Sequence, residues 1–416
     1  GDRLALLYRL SQAFNSSLDL DEVLDRVMDE VIAATRAERG FVTLREADGG
    51  LVFRAARGMD QETIDQPQFQ ISRSVVERAA HEGLPILTSD AQSDDRFSMR
   101  QSVKILGLRS ILCVPLKLKD QVSGVVYVDN RLQTGIFTSD DLELLTAIAS
   151  SAAIAIENAR LYQVAVEKGR MERELQMAYD VQASLLPRET PQQPGWEFAA
   201  RWQPAREVSG DFYDFVLFHQ QLGMVIADVT DKGMPAALFM ALSRSTLRAS
   251  LAATRSPAEG IRRTNRLLCA DSVNSMFVTL FYAQLNPATG QMTYVNAGHN
   301  PPLLYRAKEG ELVELTRTGM PLGLFETIDF EQRVVQLDPG DFILLYTDGV
   351  NEAMDAGGGV FGEERLRQVL LEKRQARVED MAEALEAALT NFTGGVARSD
   401  DITFVIARRL SPPGEA

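Results

Sequence analysis

From Leu4 to about Ala33 apolar residues recur at helical spacing: Leu6, Leu7, Leu10 and Phe14, then Leu20, Val23, Leu24, Val27, Met28 and Val31. Asp19 stands before the second run as a cap, so two helices are expected. Phe41 to Leu44 and Leu51 to Ala56 flank Asp48-Gly49-Gly50, a hairpin signal. A second hairpin joins Ser110–Leu118 to Gly124–Asn130 through Lys119-Asp120-Gln121. Between the hairpins the pattern predicts a helix near Ser74 to His81 and a strand at Leu84 to Leu87.

From Asp140 to Leu186 a helical pattern runs without proline until Pro187. Ile148, Ala152, Ala155, Ala159, Tyr162 and Val166 alternate by four and three, the seam of a coiled coil. Small seam residues also suit packing on the chain's own domains, but a parallel homodimer is the expectation. Beyond Gly169 the seam resumes at Met171, Leu175, Ala178, Gln182 and Leu185, displaced by two positions. That displacement rotates the apolar stripe by about 200°, so the helices are expected to unwind or change partners near Gly169, the weakest helix former there.

The remaining pattern is strand-rich around helices at Pro235–Leu251 and Pro257–Ala270. Met224 to Ala227 form a buried-strand run with Asp228 at its end, Asp231-Lys232-Gly233 breaks the strand, and Pro235 opens a helix. Asp211 follows Ser209-Gly210, Asp348 ends the apolar run from Phe342, and Asp400 and Asp401 precede the strand from Ile402. Carboxylates converging from strand ends repel each other unless cations neutralise them, and oxygen-only ligands suit Mg²⁺ or Mn²⁺. Two such ions about 3.5–4 Å apart would serve phosphate-ester hydrolysis.

Length and charge narrow the class. The 416 residues call for two domains or more. The 58 acidic against 43 basic residues, net −15, disfavour nucleic acid and anionic membrane as principal partners. Cys113 and Cys269 lie far apart and outside any CxxC pattern, so neither a disulfide framework nor a zinc site is suggested. No apolar run approaches a membrane span and no signal segment opens the chain, so a cytoplasmic protein is expected. The chain opens Gly1-Asp2-Arg3 without methionine, as expected of a piece of a longer protein.

These motifs resemble the PPM family of metal-dependent Ser/Thr phosphatases, in its SpoIIE-like and RsbU-like branch, from about Glu172 to Leu410. Besides EVSGDFYDF (Glu207 to Phe215) and IADVTDKGMPAAL (Ile226 to Leu238), the match includes QASLLPRETP (Gln182 to Pro191), SMFVTLFYAQL (Ser275 to Leu285), YVNAGHNPPLLY (Tyr294 to Tyr305), MPLGLF (Met320 to Phe325) and DPGDFILLYTDGVNEA (Asp338 to Ala353). The resemblance implies a two-ion Mn²⁺ or Mg²⁺ centre. Asp228 would bridge the ions with the Val229 carbonyl as a further ligand, Asp211 would join one ion, and Asp348 and Asp400 would hold the other. Asp228 and Asp211 are the implied catalytic residues.

Asp401, one residue on, is expected to cap or orient, and Gly349 and Gly210 to allow tight turns. Asp214 is expected to support the site or lie on the surface. Where the wider family commonly has a His after the bridging Asp, this chain has Thr230 and Lys232, which leaves the proton donor unassigned; a metal-bound water is the expectation. His299 is expected to be structural and His219 to lie on the surface.

Residues Leu4 to Tyr162 resemble a GAF domain, chiefly in Val114–Asn130 and Phe137–Tyr162. Asn130, Phe137 and Asp140 echo cyclic-nucleotide-binding members, but Arg131 stands at the Lys position and the spacing differs, so no cyclic nucleotide is inferred. Cys113 falls within a strand, against a bilin attachment, and His81 beside Gly83 reads as a helix cap; the ligand stays open.

The expected architecture is α+β: a GAF-like domain over 1–160, a coiled-coil linker helix over 140–186, and a PPM-type αββα sandwich over 187–412. The expected function is a GAF-regulated Ser/Thr phosphatase acting on a phosphorylated STAS-type anti-anti-sigma regulator, with a small-molecule or protein ligand at the GAF domain. A non-catalytic signalling scaffold is the alternative, and a nuclease or cyclic-nucleotide phosphodiesterase lacks the expected His-rich pattern and basic face.

Overall fold

The computed structural model describes residues 2–58, 73–91, 109–218, 220–271 and 276–411; His219 and Ser275 lie outside them. The chain divides into two compact units, Gly1–Met171 and Glu172–Ala416.

In the first unit, α1 (Asp2–Phe14) and α2 (Leu20–Thr35) form where the helical spacing places them. The Asp19 carboxylate caps α2, accepting from the Asp21 and Glu22 amides at 3.0 and 3.1 Å. Strands β1 (Arg39–Arg45), β2 (Leu51–Gly58), β3 (Ile86–Thr88), β4 (Ser110–Leu118) and β5 (Gln121–Asn130) make one antiparallel sheet, ordered β2-β1-β5-β4-β3. Alternation then splits its side chains between two faces. Val42, Leu112, Val114, Val126 and Val128 pack with α2 and the long helix described next. Phe41, Ile111, Cys113, Val125 and Tyr127 pack with Val75, Val76 and Ala79 of α3 (Arg73–Glu82). Gly83, at φ 61°, closes α3 with its amide on the Ala79 carbonyl, so the glycine supplies the cap beside His81.

Helix α4 spans Ser139–Leu185, 47 residues, and is unbroken through Gly169. The expected local unwinding is therefore absent, because one isolated glycine is tolerated in a helix at a cost of about 1 kcal/mol. Ile148, Ala152, Ala155 and Ala159 of the supposed seam are buried in the first unit's own core, whereas Leu161, Tyr162, Val164, Val166, Met171, Met177 and Val181 are exposed. One stretch of α4 is, by length and composition, apolar enough to cross a membrane, contrary to the sequence reading; 44% of it is buried inside the protein. Alanine-rich core helices satisfy that test because they are apolar on most of their circumference.

The second unit stacks two antiparallel sheets with helices outside. One sheet runs β13 (Arg333–Gln336), β10 (Gln291–Ala297), β9 (Val278–Leu285), β8 (Gln221–Val229), β7 (Phe212–Phe218). The other runs β12 (Glu311–Glu314), β11 (Leu303–Arg306), β14 (Phe342–Tyr346), β15 (Ile402–Arg409), β6 (Trp196–Gln203). Met224, Ile226, Phe281 and Ala283 meet Ile343, Leu345, Val405 and Ala407 between the sheets. Helices α5 (Met234–Ala252) and α6 (Pro257–Asp271) cover the first sheet; α8 (Gly362–Glu372) and α9 (Val378–Thr393) cover the second, after the short α7 (Asp348–Asn351). The expected αββα order is the one found.

Asp214 on β7 is buried and clamps α5 to its sheet. Arg248 donates to both its oxygens at 2.6 and 2.7 Å, and Arg244 Nε, 3.1 Å away without hydrogen-bond alignment, adds charge pairing. Removing the carboxylate strands the mostly buried Arg244, so Asp214→Ala is expected to lower stability by about 3 kcal/mol, and Arg248→Ala, whose side chain is half exposed, by under about 1 kcal/mol. Urea unfolding of the two variants separates these outcomes; equal losses would show that the buried pair does not hold α5.

Candidate metal centre

The aspartates singled out in the sequence meet at one end of the sandwich. Asp228, the penultimate residue of β8, lies opposite Thr279 of β9, and Asp211 immediately precedes β7, so both belong to one sheet. Asp348 opens α7 directly after β14, and Asp400 lies two residues before β15, so both belong to the other sheet. Strand ends are rigid mounts, and here two sheets present them to a common space.

The electrostatics follow from burial and like charge. Burial pushes the Asp211 carboxyl well above the usual range, and Asp228 and Asp401 add to it. Asp228 is raised to about 7, first by burial and then by Asp348, Asp400 and Asp401, with a hydrogen bond to the Asp211 carboxyl opposing. Asp348 is raised to about 6 by burial and by Asp400 and Glu352, against the Gly349 amide and Lys232. Burial and like charge thus both favour the neutral carboxyl in this cluster.

The second row of contacts fixes these groups. Thr347 Oγ1 donates to Asp211 Oδ2 at 2.7 Å, and Trp202 Nε1 donates to the Asp211 carbonyl at 2.9 Å. Asp401 accepts from the Ala205 amide (2.7 Å), the Ser209 hydroxyl (2.7 Å) and the Gly210 amide (3.0 Å). Its expected orienting role is therefore met in detail. His299 is buried and neutral, its pKa lowered to about 4 by burial. Its Nδ1 accepts from Thr279 Oγ1 at 2.9 Å and its Nε2–H donates to the Tyr346 carbonyl at 3.1 Å, which ties β9 to β14. The structural reading of His299 agrees with these contacts.

Gly349 is needed for a different reason than the turn expected of it. It has no positive φ, but a Cβ there would stand 1.9 Å from the Asp401 carbonyl oxygen. Gly210 likewise lacks a positive φ, and its Cβ would meet the Val229 carbonyl at 3.0 Å. Close backbone approach excludes a side chain at Gly349 and leaves little room for one at Gly210.

Gln182, placed in the coiled-coil seam by the sequence pattern, is instead buried against this site. Its amide donates to the Ser209 carbonyl (2.8 Å) and the Ala237 carbonyl (3.3 Å) and accepts from the Ser209 amide (3.0 Å). Lys232, in the group that breaks the strand and where a His is commonly found, places its Nζ 2.9 Å from Asp400 Oδ2.

The donor set is all oxygen, negatively charged and short of positive partners, which suits a hard divalent cation. As the side chains stand, no group of three or more His, Cys, Asp or Glu residues among the described residues is arranged to hold an ion. A cavity of about 170 Å³, lined by Gly349, Met354, Leu389, Arg398 and Asp400 among others, opens beside this cluster.

Residues 219–410 match the family model described as stage II sporulation protein E (SpoIIE), and residues 17–157 match that of a GAF domain. The chain is 32% identical over 237 residues to phosphoserine phosphatase RsbU of Bacillus subtilis, spanning 57% of this chain and 70% of that protein. It is 26% identical over 239 residues to phosphoserine phosphatase RsbP of the same organism, spanning 56% and 57%. Its fold is shared with the SiaA-PP2C domain of Pseudomonas aeruginosa, with a TM-score of 0.54, 23% identity, and coverage of 59% of this chain and 100% of that one.

Because the folded-state values of Asp228 and Asp348, about 7 and about 6, lie above the ~3.9 of an unfolded aspartate, folding takes up protons in this window. Without metal, this contribution to stability is present at low pH and is lost as pH rises through 6 to 7. Asp228→Asn removes one of the charges responsible. In chelator, its thermal stability relative to the parent chain is expected to grow between about pH 4 and pH 7; a difference that stays flat would contradict the assigned repulsion.

Proposed function

The chain belongs to the RsbU-like, SpoIIE-type family of PP2C serine/threonine protein phosphatases and carries a GAF domain ahead of the phosphatase domain, and on that premise we propose that it removes phosphate from serine or threonine of a STAS-type anti-anti-sigma regulator in a metal-dependent reaction under GAF control. The observation that carries the reading is the convergence of Asp211, Asp228, Asp348 and Asp400, with the carboxyl pKa values of the first three raised. In this reading Asp228, Asp211 and the Val229 carbonyl would hold one Mn²⁺ or Mg²⁺ ion and Asp348 and Asp400 a second, with Asp228 serving both. Bound there, the ions would polarise a phosphoryl oxygen and lower the pKa of water at neutral pH. The chain's own residues do the positioning: Thr347 and Trp202 hold Asp211, and Asp401 fixes the loop in front of it.

The net charge of −15 supports a protein substrate over nucleic acid, and a cytoplasmic setting accords with it. A cleft of about 730 Å³ in the first unit, bordered by Thr43, Arg45, Phe53, Val76 and His81, offers room for a small-molecule ligand at the GAF domain. The exposed apolar residues of α4 from Leu161 to Val181 support a parallel homodimer through that segment only, since the earlier seam positions are already buried.

Release of phosphate from an aryl phosphate is expected to require Mn²⁺ or Mg²⁺, to vanish with chelator, and to be abolished in a folded Asp228→Asn variant; full turnover in metal-free buffer would sink the reading. Under one metal condition, phosphoserine STAS protein is expected to be hydrolysed faster than a phosphotyrosine peptide or a cyclic nucleotide. Preference for the nucleotide would favour a phosphodiesterase.

Control through the linker has its own test. A Cβ at Gly169 meets nothing within 4 Å, so Gly169→Ala stiffens α4 by about 1 kcal/mol without a clash. It is expected to change basal phosphatase activity while leaving metal affinity alone. Unchanged activity and dimerisation would make the linker a passive spacer.

A further inference from the structure

We propose that Lys232 is a built-in counter-ion, holding Asp400 in the metal-free chain and giving it up when a divalent cation enters. The inference rests on the metal-centre reading above. Lys232 Nζ donates to Asp400 Oδ2 at 2.9 Å and to the Ser399 carbonyl at 2.7 Å, and its charge also reaches Asp348. One ammonium group therefore serves both aspartates assigned to the same ion, from a loop that leaves the opposite sheet directly after Asp228.

The backbone aims it there. Asp231, at φ 80°, is one of the few non-glycine residues in the left-handed region, and Gly233 follows at φ 79°. Asp231 Oδ1 accepts from the Lys232 amide at 2.9 Å, a local bond of the kind that makes this region tolerable for aspartate. A loop bent in this way on both sides of one lysine projects its side chain across to residues 399–400.

The pair is placed for exchange, not for permanence. The side chains of Lys232 and Asp400 are 44% and 37% exposed, so water solvates both partners as they separate and the attraction is modest. A divalent cation at Asp348 and Asp400 would repel the ammonium, because like charges at such range in a partly buried site are unfavourable. Cation entry and lysine departure are then one competitive equilibrium. The ammonium offsets the self-repulsion of the metal-free carboxylates and, by the same amount, weakens metal binding at this half of the centre.

Removing the competitor is therefore expected to tighten metal binding. Binding of Mn²⁺ to the full chain, followed by the electron paramagnetic resonance signal of the free ion, is compared for the parent, Lys232→Met and Lys232→Arg. The methionine variant is expected to bind Mn²⁺ about two- to fivefold tighter, the range set by an exposed ion pair; the arginine variant is expected to stay near the parent. Thermal unfolding in chelator reports separately that the variants are folded, and Mn²⁺ is expected to raise the midpoint of Lys232→Met by more than that of the parent. Parent-like or weaker binding by a folded Lys232→Met sinks the counter-ion role alone. If the parent chain binds no Mn²⁺, the metal-centre reading fails and this inference goes with it.

Discussion

The second unit is organised around an unfavourable interaction: two carboxyl groups, the buried Asp211 and the half-buried Asp228, close together at the end of one sheet. Burial and like charge both favour the neutral form, so the metal-free chain must either keep protons there or supply positive charge. Lys232 supplies positive charge at Asp400, on the other sheet's side of the cluster. A cluster with this cost persists only where the surrounding structure holds it, and its surroundings are unusually well satisfied: Thr347, Trp202 and Asp401 each fix part of the Asp211 loop.

That constraint explains features remote from the carboxylates. The cluster needs residues from both sheets, so the sheets must keep register at one end, where no strand pairs across them. His299 supplies such a clip, bonded on one side to Thr279 opposite Asp228 and on the other to the strand that leads into Asp348. Gly349 allows α7 to start against the Asp401 carbonyl, a contact that any side chain would forbid. Asp401 then returns to the Asp211 loop through bonds that span 191 and 192 residues of sequence: the carboxylates of one sheet are thereby referenced to those of the other.

Much of this was legible from residue pattern because the signals were local. Alternation along β4 and β5, the Asp19 cap and the strand-end aspartates depend on neighbours in sequence. What could not be read depended on which of two equivalent partners a residue takes. A stripe of Ile148, Ala152, Ala155 and Ala159 fits a partner helix or a sheet face equally well, and the sheet face is the one observed. Gln182 sits at a seam position by spacing, yet its amide is satisfied only by backbone groups of Ser209 and Ala237. Asp214 carries no local sign that Arg244 and Arg248, thirty or more residues on, will bury it. The glycines beside Asp211 and Asp348 were singled out correctly but for turn geometry, whereas the need is tertiary contact.

The last turns of α4 connect these themes. Tyr179 stacks on Trp202 with ring centroids 5.4 Å apart, and Trp202 in turn holds the Asp211 carbonyl. One turn later Gln182 bonds Ser209, whose hydroxyl is itself held by Asp401, and also the carbonyl of Ala237 in the first turn of α5. The end of this helix therefore grips both sides of the cluster at once: the loop that carries Asp211 and the helix that starts just after Asp228. Buried backbone groups left without partners are costly, so the end of α4 cannot shift while these two segments stay in place. The loop that carries Asp211 and the start of α5 are thus tied to one helix end, which must carry them with it or leave the Ser209 backbone groups unsatisfied.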